Sequence, residues 1–264
     1  MNKTIRSVIF SAAAASAASS CASAQPAAQS AGQAAVKNVV LVHGAFADGS
    51  GWRGVHDELT RRGYRVTVVQ NPLTSLADDV AATRRALDRL DGSAVLVGHS
   101  WGGTVITEAG VHPKVSSLVY VSALAPDAGE TTAQQYKGFP PATEFVIDTQ
   151  PDGYGFVNPE KFKSGFAADT SDADAAFLRD SQTPINMSVF ETKLQYAAWR
   201  SKPSWAVIGT EDNAFGKGML HSMAKRIGAR VTEVPASHAL FMTQAKAVAD
   251  VIDQAAHDDA SKPR

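Results

Sequence analysis

The sequence predicts an α/β protein: a mostly parallel sheet of about six strands, helices on both faces, and a helical cap inserted in the second half of the chain. Three observations predict it. From Lys37 onward, short apolar β-rich runs alternate with amphipathic helical patterns, the order that builds a parallel sheet covered on both sides. Several of those runs are apolar without interruption, as strands buried on both faces require. Between residues 125 and 203 the alternation stops, and a structureless loop of that length would be unusual inside a compact domain.

Taken in order, residues 39–42 (Val-Val-Leu-Val) form the first strand. A helix follows over 52–62, with Trp52, Val55 and Leu59 on one face and a stop at Gly63. Residues 65–69 read as the second strand. Residues 76–90 read as a helix with apolar positions 76, 80, 86, 87 and 90, and with Arg and Asp on its outer face. Strands three and four are 94–97 and 118–121, separated by a helical run over 103–110; two more strands are expected at 205–208 and 230–234, each followed by a helix. The segment 125–203 carries seven Phe and Trp199, too many aromatics for a disordered excursion, so it reads as a cap over the carboxyl ends of the strands.

The N-terminal segment stands apart. Lys3 and Arg6 precede an Ala-rich run, and Ala22-Ser23-Ala24 is the small-x-small pattern of a signal-peptidase site. Residues 1–24 are therefore expected to be a signal peptide, 25–36 a flexible linker, 37–256 the folded domain and 257–264 a polar tail. This reading makes the protein exported, periplasmic or secreted. A low-complexity tail that stays attached is the alternative, and a lipid anchor on Cys21 is another, although Ala18 stands where such sites usually carry Leu. A formal net charge of −1 gives no footprint for nucleic acid, and no run is apolar enough over its length for a transmembrane helix. There is no H-E-x-x-H and no G-x-x-x-x-G-K, so neither a metal nor a cofactor is expected.

The chemistry centres on Gly98-His99-Ser100-Trp101-Gly102, a G-x-S-x-G sequence set between an apolar strand and a helix. A serine on so sharp a turn projects its hydroxyl above the sheet, and the helix N-terminus behind it favours developing negative charge. A serine hydroxyl needs a base. Of seven histidines, His238 lies in the loop after the last strand, at the same edge of the sheet as Ser100. His56, His112, His221 and His257 fall on helix faces, a turn and the tail, whereas His99 should pack beneath the turn and His43 should fix its own loop. Asp212, in the loop after the penultimate strand, is the carboxylate expected to orient His238; Glu211 is its nearest competitor. The N–H groups of Trp101 and of Ala45 are the expected oxyanion donors, with Phe46 as the alternative to Ala45. Phe46, Leu240 and Phe241, together with the Trp101 side chain and the cap aromatics, are expected around the substrate.

With Val42-His43-Gly44-Ala45-Phe46, Gly209-Thr210-Glu211-Asp212 and Ser237-His238-Ala239, these residues resemble the α/β-hydrolase superfamily over about residues 38–255. The likeness is nearest to its small esterase and hydroxynitrile-lyase-like branch. It implies a core of about six parallel strands, without the two leading antiparallel strands of larger members, and a serine hydrolase acting on small or medium esters, lactones or amides. Gly44, Phe46 and Trp101 depart from the lyases, which carry Thr at the position of Gly44 and Cys at those of Phe46 and Trp101, so cyanohydrin cleavage is not implied. Cofactor-free haloperoxidases share the Ser-Asp-His set, which keeps a perhydrolase activity open. A receptor built on the same fold is the non-enzymatic alternative.

Overall fold

The computed structural model describes residues 36–258. The expected signal peptide, Cys21, the linker up to residue 35 and the tail from residue 259 lie outside the described residues. The strand-helix alternation resolves into β1 (Asn38–Val42), α1 (Arg53–Arg61), β2 (Arg65–Val69), α2 (Leu76–Asp88), β3 (Ala94–His99), α3 (Trp101–Ala109) and β4 (Val115–Val121). Within the cap lie β5 (Ile147–Thr149), β6 (Tyr154–Val157), α4 (Phe162–Phe166), α5 (Asp172–Asp180) and β7 (Ile185–Asn186). The chain closes with β8 (Ser204–Gly209), α6 (Lys217–Arg226), β9 (Arg230–Val234), α7 (Leu240–Thr243) and α8 (Ala245–His257). Among the described residues no helix is long and apolar enough to cross a membrane.

The main sheet has six strands in the order β2-β1-β3-β4-β8-β9, and every neighbouring pair is parallel. Sequence sets each strand's place. The uninterrupted apolar runs β1, β3 and β8 are buried at every residue and occupy the interior. Arg-Val-Thr-Val-Val and Arg-Val-Thr-Glu-Val, with polar residues between the valines, form the half-exposed edges β2 and β9. Right-handed crossovers then place α1 on one face and α2, α3 and α6 on the other, because β1 to β2 runs in the opposite direction to β3 to β4. The order reverses between β1 and β3, and ligands in open parallel sheets bind above the carboxyl ends at such a reversal.

The cap is less helical than its sequence suggests. Two short helices, α4 and α5, share it with an antiparallel sheet of three strands ordered β5-β6-β7. Those strands are two to four residues long and only partly buried, so they leave no continuous apolar run in the sequence. A tight turn joins β5 to β6, with Gly153 at φ +86° and its N–H donating to Gln150 O at 2.9 Å. The root of the cap is laced. Gly129 N–H donates to Leu194 O at 2.8 Å, Leu194 N–H donates to Glu130 O at 2.9 Å, and Trp199 Nε1–H donates to Pro126 O at 2.9 Å. From α3, the buried Glu108 accepts the N–H groups of Gln195 and Tyr196 at 2.8 and 3.0 Å.

Candidate active site

Ser100 joins β3 to α3 at φ +53°, ψ −120°, a conformation that costs a side-chain-bearing residue about 1–3 kcal/mol. Its neighbours hold it there: Ser100 O accepts from Gly103 N at 2.9 Å and from Leu124 N at 3.2 Å. The turn is possible only because the backbone can crowd. A Cβ on Gly98 would come within 2.6 Å of the Gly102 carbonyl carbon, and one on Gly102 within 2.6 Å of Val42 O.

His238 follows β9, and its Nδ1–H donates to Asp212 Oδ2 at 2.8 Å, with both side chains completely buried. Asp212 Oδ1 in turn accepts the N–H groups of Ala214 and Phe215 at 2.9 and 2.8 Å, which fixes the carboxylate in the loop after β8. Because Nδ1 carries the proton toward Asp212, Nε2 keeps its lone pair, and that nitrogen is buried without a hydrogen-bond partner. The ring lies 4.8 Å from Phe215 and 6.0 Å from Phe145, centroid to centroid, and both phenyls also line the cavity that contains Ser100. Hydrogen bonds between such a nitrogen and a serine hydroxyl are long or absent in many unliganded enzymes and tighten with substrate.

The loop after β1 behaves as its sequence suggests. His43 donates from Nδ1 to Gly44 O at 2.8 Å and accepts the Asn71 N–H at Nε2 at 2.8 Å, while Asn71 Nδ2 donates to His43 O at 2.9 Å. Burial lowers its pKa and keeps the ring neutral, in a structural role. His99 is likewise neutral and buried, its Nε2–H donating to the His238 carbonyl at 2.9 Å under the base's ring. His56, His112 and His221 pair with Asp57, Asp88 and Glu233 outside the cavity. Ala45 and Trp101 border the cavity with Ser100, and among the described residues neither N–H is engaged by a backbone acceptor.

The cavity over Ser100 measures about 260 Å³ and takes in Phe46, Trp101, Phe145 and Phe190. Leu240 and Phe241 are not part of its wall. After His238 the chain turns inward, and α7 buries Phe241 against Trp52 at 5.2 Å and against His99 at 4.3 Å, so both residues belong to the core beneath the site.

Two contributors escaped the sequence reading. Asp79, assigned there to the outer face of its helix, lies on the buried stripe of α2 with Leu76, Val80, Thr83 and Leu87. Its Oδ2 accepts Trp101 Nε1–H at 2.8 Å and its Oδ1 accepts the N–H of Leu73, a residue at φ +57°, at 2.8 Å. The periodicity of 76, 79, 80, 83 and 87 could have found it. The second is Asp169 of the cap, which accepts from Ser237 Oγ and, at 2.7 Å, from Thr243 Oγ1 on either side of His238. Asn213 Nδ2 donates to Ser164 O at 2.9 Å, so the cap also grips the loop that carries Asp212.

Comparison with known proteins finds relatives of the same fold. The chain is 34% identical over 119 residues to a carbendazim hydrolyzing esterase of Nocardioides sp. (strain SG-4G), a match spanning 39% of this chain and 49%, about half, of that enzyme. It is 26% identical over 210 residues to the alpha/beta hydrolase nvfD of Aspergillus novofumigatus (strain IBT 16806), covering 71% of this chain and 83% of that protein. The crystal structure of a pyrethroid hydrolase superposes with a TM-score of 0.73 at 21% identity, over 86% of this chain and 100% of that one, a likeness of fold. The model of the alpha/beta hydrolase family matches residues 39–251, and the chain belongs to that family.

Proposed function

We propose that this protein is a serine esterase that cleaves carboxylic esters through an acyl-Ser100 intermediate. The observation that carries the reading is the buried Asp212–His238 pair, whose free Nε2 stands among the phenyls lining the cavity of Ser100. His238 Nε2 takes the Ser100 proton as Oγ bonds to the ester carbonyl carbon. The carbonyl oxygen gains the negative charge and is met by the N–H groups of Ala45 and Trp101. Asp212 holds the imidazole in the required tautomer and stabilises the imidazolium. The imidazolium then gives its proton to the departing alkoxide, and the same nitrogen draws a proton from water to release the acid. The esterase and hydrolase activities in the names of the similar proteins support ester bonds as the target.

Steady-state hydrolysis of a p-nitrophenyl ester panel tests this. Ser100→Ala should reduce kcat by up to about 10⁶-fold while leaving the thermal melt of the fold intact. A wild type no more active than Ser100→Ala would leave a ligand receptor as the better reading. Export is part of the proposal, carried by the N-terminal sequence: the secreted or periplasmic protein should begin at Gln25 by mass spectrometry, and an acylated Cys21 at the N-terminus would contradict that.

A further inference from the structure

The cavity over Ser100 does not stand alone. A second chamber of about 880 Å³ adjoins it, and Tyr136, Phe145 and Ile147 line both. The smaller compartment, called inner, holds Ser100, Ala45 and Trp101, so on the esterase reading the reacting carbonyl sits in it and the larger chamber, called outer, adjoins it. The direction of the two ester halves then follows from proton transfer. The departing alcohol oxygen must face His238, because His238 gives it a proton. The outer chamber is built on the segment that orients His238, with Asp212, Asn213, Ala214, Gly216 and Gly218 in its wall, while Phe215 of that segment touches the His238 ring and lines the inner compartment. The alcohol half therefore leads into the outer chamber and the acyl half stays in the inner one.

Size and charge narrow the class. The outer chamber falls within the range of about 300–1,000 Å³ that accommodates drug-sized ligands, and the inner compartment, at about 260 Å³, falls below it. No Lys or Arg lines either compartment among the described residues. Glu144 in the outer wall is paired with Lys161 at 3.1 Å, and Glu191 stands in the inner wall, so neither wall offers an anionic substrate an unpaired cation among the described residues. Tyr136, Phe139 and Phe145, with Pro140, Pro141 and Met219, line the outer chamber, a wall that favours flat apolar groups. We infer that the preferred substrates are neutral esters of a bulky, apolar, aromatic alcohol with a compact acid. This rests on the esterase reading and adds to it which half of the ester is large.

An isomeric pair tests the assignment: 2-naphthylmethyl acetate and methyl 2-naphthylacetate have the same atoms and place the naphthyl group on opposite sides of the ester. The wild type should favour 2-naphthylmethyl acetate in kcat/KM by at least about tenfold, the scale on which pocket contacts discriminate. Gly218→Trp supplies the second arm. Gly218 lines the outer chamber and a Cβ there meets no atom within 4 Å, so an indole at the rim is accommodated without displacing the fold. That variant should cut the preference ratio between the isomers by about tenfold. Equal or reversed preference with Ser100-dependent turnover, or a ratio unmoved by Gly218→Trp, overturns the compartment assignment and leaves the esterase reading standing. No Ser100-dependent turnover of either isomer or of p-nitrophenyl acetate overturns both.

Discussion

A carboxyl group withdrawn from water favours its protonated form, and Asp79, fully buried between Leu73 and Trp101, has its pKa pushed up to about 6 by that burial. Because the folded-state value lies above the ordinary 3.8, its contribution to stability is complete below that ordinary value and is lost as pH rises through about 6. Urea melts of wild type and Asp79→Asn should show it: from about pH 4 to about pH 7.5 the wild type should lose about 1–3 kcal/mol relative to the variant. A parallel pair of profiles would contradict the burial of the charge. Gly44 offers a test of the oxyanion loop. A Cβ there would lie 2.8 Å from the Ser100 Cβ and 3.0 Å from His99 O, so Gly44→Ala must push the loop away from the nucleophile. Misplacement by about 1 Å costs about 10²-fold, and kcat for p-nitrophenyl acetate should fall on that scale with the fold retained by circular dichroism. At this scale Ser100, Asp212 and His238 were legible in the sequence as candidates, because each stands where a strand ends. Asp79 was hidden because a charged residue on a helix is read as solvated. Leu240 and Phe241 were misplaced because adjacence to His238 says nothing of which way the chain turns next.

The elements divide by how much each strand buries. The central strands announce themselves, since burial on both faces demands Val-Val-Leu-Val and its like. The cap strands bury one face over two to four residues, and no period can be read from so few positions. What the cap does for the site is visible in its contacts. Asp169 holds Ser237 and Thr243, and Ser164 O receives the Asn213 amide, so the cap braces the loops of both His238 and Asp212. Asp169→Ala should loosen the His238 loop. Steady-state kinetics should show kcat down about tenfold, with KM for a small ester little changed, as for a group that positions the base without touching substrate. A change confined to KM would assign Asp169 to substrate binding instead.

At the scale of the molecule, one feature of topology places everything else. Reversal of strand order between β1 and β3 opens a crevice above the sheet, with the Gly44–Ala45 turn on one side and Ser100 on the other. The Asp212 and His238 loops reach the same edge because β8 and β9 run parallel to β3. The cap then roofs the crevice and divides it into two compartments. On the esterase reading this geometry activates Ser100. The most direct measurement of that activation is mass spectrometry of the protein after reaction with a fluorophosphonate, which labels an activated serine covalently. An adduct is expected on the tryptic peptide that carries Ser100, absent from Ser100→Ala and slowed in His238→Ala. A wild type that stays unlabelled, or a label that persists in Ser100→Ala, would contradict that reading.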